Sequence, residues 1–345
     1  VGHACGHGQQ QRAGAHRIKR ASLMHVTLSP TEAARALADG RLAVLPTETV
    51  YGLGALADGP AVRRIFEVKG RPAWHPLIVH VSSPAALEGT HAWTRDVPDY
   101  AWALTAAYWP GPLTVVLRRS PRVSDAITGG QDTVAVRCPS HPLAHTVLRM
   151  LDAYAEAPAG VAAPSANRHG AVSPTTAQHV VADLGPYLGA DDVILDGGAC
   201  DIGVESTIVD CTGAAPRLLR PGSIAAAEIA LATGLAIDLG ESEVRAPGGL
   251  AAHYAPRARV RVVTAADLGA LEAGTGLIAL DEVATPGGLV RLAAPHSIEE
   301  YAHDLYAALR EADARGLTDV VAVPPSGESG LAAAVRDRLS RAAAS

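Results

Sequence analysis

From Ser29 onward, apolar and polar positions switch repeatedly between a helical and a strand-like period. Ser29 and Pro30 stand where an N-cap and a first-turn proline belong and open a helix to about Asp39. The apolar run 42–45, closed by Pro46, reads as a strand, 60–68 as a helix and 77–81 as a second buried strand. A helix is predicted over 97–108 and is stopped by Pro110-Gly111-Pro112. The β-branched runs 113–117 and 133–137 read as strands. Helices follow over 141–152 and 175–184, with strands near Val161 and over 193–195, 206–209 and 217–219. These strands keep no strict β-α-β cadence, so the pattern predicts an α/β domain with a mixed, twisted sheet.

A second unit repeats the alternation on a smaller scale. Strands are predicted over 259–263, 276–280 and 319–323. Ser297 with Glu300 three residues on forms a capping-box signal for a helix to about Arg315, and a last helix starts near Leu331. This spacing predicts a small, Rossmann-like three-layer α/β domain over 259–345. Between the units, GESEVRAPGGLAAHYAP (240–256) is rich in glycine, proline and charge, and the stretch 240–258 reads as a linker. His253-Tyr254 fits an inert tether poorly. At the other end, residues 1–23 show no apolar period, and the globular pattern starts just after Met24. They are expected to be an extension without a part in folding or activity, which leaves 24–239 as the first domain.

Composition narrows the function classes. Of 345 residues, 48% are hydrophobic and 19% charged, which excludes a disordered chain and suits two ordinary cores. The longest apolar stretch, between Ile224 and Ile237, is broken by Glu228 and Gly234, so no membrane span is predicted. Four scattered cysteines without a C-x-x-C pair argue against a disulfide scaffold, a zinc ribbon or thioredoxin-like chemistry, and a reducing cytoplasm fits best. The formal charge is −6, and without the basic segment holding Arg12, Arg17, Lys19 and Arg20 it is −10. A body that acidic is poorly suited to tracking a nucleic-acid backbone, so direct nucleic-acid binding is expected to be weak or absent. A local basic pocket for a small anion remains compatible with it.

Candidate chemistry gathers at predicted strand ends. Lys69 is one of two lysines among 29 basic residues and the only one outside the basic tail. With Arg71 it forms K-G-R-P, either a phosphate clamp or an ordinary cationic helix end. PTETVYGLGA (46–55) places Thr47, Glu48, Thr49 and Tyr51 after a strand, with glycines that permit close approach of a ligand. It is neither a Walker A loop nor a G-x-G-x-x-G fingerprint. APSANRHG (163–170) offers Ser165 and Asn167, and GVESTIVD (203–210) offers Glu205, Ser206 and Thr207. LLRPG (218–222) offers Arg220, and the run 133–137 carries Thr133 and Arg137 on one face. Open α/β sheets build ligand sites from such strand ends. His141 and His145 have metal-ligand spacing but no third partner, no G-x-S-x-G elbow is present, and Cys138 reads as a buried thiol.

In this order, the segments PTETVYGLGA, IFEVKGRP, PLIVHV, WPGPLTVVL, TVAVRCPSHP, APSAN, SPT, GVESTIVD, LRPGSI and APGGLAAHYAP resemble the threonylcarbamoyl-AMP synthase family. They cover 46–256 almost continuously and correspond to its YrdC-like catalytic domain; the carboxyl-terminal unit resembles the extra domain of the family's longer form. The resemblance implies a nucleotidyltransferase that condenses L-threonine, bicarbonate or CO2, and ATP into threonylcarbamoyl-AMP and pyrophosphate. Partner transferases then place the threonylcarbamoyl group on adenosine 37 of tRNA. It implies that Thr49, His80, Arg137 and Ser206 hold threonine, and that Arg71, His75, Thr133, Ser165, Ser173, Arg220 and Tyr254 hold ATP. Lys69 and Asn167 complete the K-x-R and S-x-N signatures of the site, and Lys69, Arg71 and Arg220 would hold phosphates. The linker would fold back so that Tyr254 covers the nucleotide. Mg2+ would arrive with ATP, without a dedicated protein cage, and no organic cofactor is implied. Two positions depart from the family pattern: His75, preceded by Trp74, stands where asparagine is usual, and Ala163 where some members have threonine.

Overall fold

The computed structural model describes Val1 and residues 25–155, 157–238, 242–248 and 253–344. The rest of the expected extension 1–23 lies outside these residues, as do Met24 and parts of the expected linker.

The larger sheet runs edge to edge through His25–Thr27, Val193–Leu195, Ala43–Leu45, Gly52–Leu56, Val161–Ala162, Ile78–His80, Thr133–Arg137, Leu113–Arg119, Thr207–Asp210 and Arg217–Arg220. The short strand Thr94–Arg95 pairs with Leu113–Arg119. Strand direction is mixed, as the irregular cadence predicts. Ile78–His80 and Thr133–Arg137 are parallel, Leu113–Arg119 opposes Thr133–Arg137, and Thr207–Asp210 follows Leu113–Arg119 but opposes Arg217–Arg220. These reversals bring three carboxyl-terminal strand ends and two amino-terminal ones to the same rim. Register sets His80 beside Arg137, Arg137 beside Thr114 and Ile208 beside Arg220.

Helices lock the sheet from its faces. Ser29 caps Pro30–Ala38 by accepting from the Glu32 amide, and this helix buries Ala33 and Leu37 against Val147, Leu148 and Leu151 of Pro142–Tyr154. Each such leucine or valine contributes about 1.5–3 kcal/mol when fully buried. Five strands and helices escaped the sequence pattern here: His25–Thr27, Thr94–Arg95 and Asp125–Thr128, which are two to four residues long, and two longer ones. Strand Gly52–Leu56 lies inside PTETVYGLGA, where its two glycines hide the strand signal, and helix Ala226–Thr233 buries only Ile229.

In the smaller sheet all strands are parallel, in the order Arg259–Val262, Asp319–Ala322, Gly276–Ile278, Val290–Ala293. Val290–Ala293 is half-buried throughout and gave no strand signal. Helices Ile298–Ala314 and Gly330–Ala343 pack on one face, where Val260, Ile278 and Val320 meet Leu305, Leu309, Val335 and Leu339. Leu268, Leu277, Ala279 and Val321 form a second cluster on the other face, beside the 3-10 turn Ala265–Ala270, so the third layer is a turn with loops rather than a helix. The capping box is half realised: Ser297 accepts from the Glu300 amide at 3.2 Å, while the Glu300 carboxylate accepts from the amide of His296 at 2.8 Å.

The two lobes touch backbone to backbone. A methyl group at Gly203, whose φ is +82°, would lie 2.6 Å from the Ala302 carbonyl oxygen. One at Gly330 would lie 2.4 Å from that of Ser223. Only glycine fits either approach. Beside them Arg310 grips Asp183 with two bonds, at 3.0 and 2.6 Å.

Candidate active site between strand ends and a covering segment

Between the rim where the strands reverse and the turns that follow Leu45 and Ala162 lies a cavity of about 50 Å³. Its floor comes from the larger sheet. Thr49 precedes strand Gly52–Leu56, His80 and Arg137 end two parallel neighbours, Ser165 follows Val161–Ala162, and Ser206 leads into Thr207–Asp210. Arg71 enters from the turn after helix Val62–Lys69, and Arg220 ends strand Arg217–Arg220. The mixed sheet therefore gathers residues from 49 to 220 around one cavity, with His80, Arg137, Ser206 and Arg220 at one rim and Thr49 and Ser165 beyond the opposite ends of Gly52–Leu56 and Val161–Ala162.

The floor centres on a buried ion pair. Arg137 Nη2 lies 2.7 Å from Glu48 Oε1, although its hydrogens are out of line for a hydrogen bond. Arg137 Nη1 donates to Thr49 Oγ1 at 2.9 Å and Nε to the Gly111 carbonyl at 3.3 Å. Every nitrogen of this guanidinium is thus partly committed, so Arg137 presents a fixed positive charge rather than a free fork. Burial pushes the Glu48 carboxyl up, but Arg137 outweighs it and the net shift is down. Burial and the Arg137 charge push His80 down to about 3, so its imidazole is neutral at physiological pH.

The roof comes from the segment read as a linker. Pro247, Gly248, His253 and Tyr254 line the cavity, and Arg220 Nη1 donates to the Pro247 carbonyl at 3.0 Å. Tyr254 is 1% exposed and has φ +63°, a left-handed conformation that costs a non-glycine residue about 1–2 kcal/mol. Its neighbours fix it there: the His253 amide donates to the Arg341 carbonyl at 3.4 Å and the Ala255 amide to that of Gly170 at 3.0 Å. The Tyr254 ring stacks on Tyr306, centroids 5.7 Å apart, and the Arg338 guanidinium lies 5.3 Å from its centre. Beneath the ring, Glu205 accepts from Ser173 Oγ at 2.6 Å, Tyr306 Oη at 2.9 Å and Arg338 Nε at 2.8 Å. Burial alone would raise Glu205, but Arg338, Arg220 and the bond from Ser173 hold it down at about 2.

Besides the ion-paired Arg137 Nη2, four buried polar atoms of the residues lining this cavity have no hydrogen-bond partner: Arg71 Nε, His80 Nδ1, His253 Nδ1 and Tyr254 Oη. Buried polar groups are nearly always paired, so unpaired ones aimed into a cavity mark where a ligand belongs.

Other residues expected at the site stand behind it. Lys69 is fully enclosed, with Nζ donating to the carbonyls of Ser165, at 2.6 Å, and Asn167. Burial, then Arg71, push its pKa well below the usual lysine range. Lys69 therefore shapes the 165–167 turn and does not face the cavity as a phosphate clamp would. Asn167 spends its Nδ2 on the carbonyls of Arg168 and Ala171. Ser173 is bound to Glu205, and Thr133 pairs with Arg118 at the far end of its strand. His75, pushed down to about 4 by burial and Arg71, lines a neighbouring cavity of about 410 Å³ with Trp74 and Arg245. Reading the sequence missed the commitments of Glu48 and Glu205. Both stood in quoted motifs, but their partners lie 89 and 133 positions away. As expected, Cys138 is a buried thiol, raised to about 12 by burial. Among the described residues no group of three or more His, Cys, Asp or Glu side chains is placed to hold a metal, and both carboxylates at the cavity are tied to arginines.

Comparison with known proteins matches the whole of this body. The family model described as "Telomere recombination" covers residues 35–222, and "Threonylcarbamoyl-AMP synthase, C-terminal domain" covers 223–344. A threonylcarbamoyl-AMP synthase of Pyrococcus abyssi is 40% identical over 90% of this chain and 92% of its own length. One of Bacillus subtilis is 36% identical over the same shares. Among solved structures, P. abyssi Sua5 complexed with L-threonine superposes with a TM-score of 0.82 at 37% identity, covering 93% of this chain and 97% of that one.

Proposed function

The chain belongs to the threonylcarbamoyl-AMP synthase family in its two-domain form, and from this premise we propose that it condenses L-threonine, bicarbonate or CO2, and ATP into threonylcarbamoyl-AMP and pyrophosphate. The observation that carries the reading is the convergence of Arg71, Arg137 and Arg220 with Thr49, His80, Ser165 and Ser206 on one enclosed cavity holding unpaired polar atoms. Three small anions must be gathered there, and three buried guanidinium groups supply the opposing charge.

Each step needs positioning more than covalent help. Threonine, as the free amine, attacks the carbon of CO2 and loses a nitrogen proton to solvent, or attacks that of bicarbonate with loss of water, and either way forms a carbamate. A carbamate oxygen then attacks the α-phosphorus in line, and pyrophosphate departs with the bridging oxygen. Thr49 and Ser206, with the fixed charge of Arg137, suit the threonine end. Neutral His80 offers Nδ1 to the amine or the hydroxyl, depending on its tautomer. A site that reads a hydroxyl by hydrogen bonds rejects the analogue lacking it by roughly 10⁴–10⁵. Arg71, Arg220 and Ser165 face the triphosphate. Lys69 and Asn167 hold the 165–167 turn, and Ser173 acts through Glu205. His75 and Thr133 would touch the nucleotide only at its outer end. Magnesium would accompany ATP through phosphate oxygens, since the carboxylates here are already spent on arginines.

A cavity of about 50 Å³ is far below the 300–1,000 Å³ typical of ligand clefts. The covering segment therefore withdraws to admit ATP and returns to keep water from the labile adduct. The product would pass to partner transferases acting on tRNA in the cytoplasm, and the acidic body makes direct tRNA binding weak. No helix among the described residues is long and apolar enough to cross a membrane.

One assay decides. Pyrophosphate release should require ATP, threonine and bicarbonate together; release that persists without threonine would point to carbamoyl transfer and sink the reading.

A further inference from the structure

The roof of the cavity is built by residues that the catalytic lobe does not own. Arg338, in the closing helix Gly330–Ala343, has a side chain with no exposed surface. It reaches across the lobe boundary to Glu205 at 2.8 Å and lies over the Tyr254 ring. Tyr306, in Ile298–Ala314, does two things at once: its hydroxyl bonds Glu205 and its ring stacks on Tyr254. A side chain that large and charged is seldom buried for packing alone, because desolvating it is costly unless its partner is well placed. Here the partner is a carboxylate that lines the cavity.

We infer that Arg338 and Tyr306 are positioning residues for nucleotide binding: from the carboxyl-terminal lobe they clamp Glu205 and the ring of Tyr254, so that the roof closes in the correct pose only when the lobes are docked. The inference rests on the reading above that Tyr254 covers ATP, and it gives the second lobe a stated task in that reaction. Of the floor, the clamp touches only Glu205, the chain neighbour of Ser206. Arg137, Thr49 and His80 make no bond to either residue. Loss of the clamp should therefore act mainly on ATP, and on threonine only as far as Ser206 shifts with Glu205.

The test is steady-state kinetics and equilibrium ATP and threonine binding on the full chain. The variants are Tyr306→Phe, which keeps the stacked ring and removes only the hydroxyl, and the pair Glu205→Gln with Arg338→Met. The pair removes both members of the ion pair while Asp337 keeps Arg341 and Arg220 keeps its bonds to Ser206 and Pro247, whereas Arg338→Met alone strands the Glu205 carboxylate. Tyr254→Ala is the reference. The double variant should raise the ATP KM about tenfold or more, the scale of losing charge-assisted bonds, with threonine KM within about twofold of wild type. Tyr306→Phe should raise the ATP KM about threefold, and free adduct should hydrolyse faster in both. A purely structural role would lower the melting temperature and leave the ratio of the two KM values unchanged; that result overturns the inference while Tyr254→Ala still weakens ATP. If Tyr254→Ala leaves ATP binding at the wild-type level, the covering role fails and the inference falls with it.

Discussion

Two buried arginine–glutamate pairs flank the same cavity, and they are built in opposite ways. Glu48–Arg137 belongs to the floor, within one lobe: register places Arg137 beside His80 and Thr114, and Glu48 comes from the short loop between Ala43–Leu45 and Gly52–Leu56. Glu205–Arg338 belongs to the roof and exists only because two lobes meet. The exposures are similar, 4% and 6% for one pair of side chains and 0% and 8% for the other. Yet the first is rigid by backbone hydrogen bonding, whereas the second is as firm as the lobe contact. Such a division suits an enzyme that must hold an amino acid steadily while a larger nucleotide enters and a product leaves.

Breaking the floor should have the largest effect. Arg137→Met strands Glu48 as a buried anion and should cost about 3–5 kcal/mol in urea unfolding, with loss of threonine-dependent pyrophosphate release. Retained threonine binding would show that this charge is structural only. Next, Arg71→Ala should lower turnover about 10²–10³-fold with an unchanged melting temperature, the scale of losing a charge donor at the transition state. Near-normal turnover would remove Arg71 from the site. Lys69→Met should cost less, about tenfold, because its ammonium reaches the site only through the 165–167 turn. A loss equal to that of Arg71→Ala would mean the lysine reorients onto substrate.

The smallest effect separates floor from roof by pH. His80 and His253 are held down to about 3, against about 6.5 when unfolded. The unfolded chain thus binds more protons below that value, and stability should decline as pH falls from about 6.5 toward 3. Glu205, at about 2 when folded and about 4.3 when unfolded, adds a loss confined to the window below about 4.5. Glu205→Gln should flatten only that lower window. A change in slope near neutrality would assign the roof's acid response to His253 instead.

What the sequence revealed follows the same division. Alternation and turn residues located the strands that end at Arg137 and Arg220, and the irregular cadence implied a mixed sheet, because those signals are local. The floor was legible for the same reason: its residues sit in short motifs at strand ends. Strand Gly52–Leu56 was hidden by its own glycines, and Val290–Ala293 by being half-buried on both sides. Of the roof, local pattern showed only a His253-Tyr254 out of place in a linker, and its covering role came from the family resemblance alone. Nothing near Glu205 announces that its partner lies 133 residues on, and Lys69 looked like a ligand clamp because burial cannot be read from a K-G-R-P string.

The glycine contacts at Gly203 and Gly330 carry a consequence for anyone recombining relatives of this protein. They leave no gap in which a foreign surface could settle by adjusting its side chains, since main chain meets main chain. A chimaera that takes one half from another species would have to import both matching steps of this seam, or its halves would stand apart by the width of a methyl group.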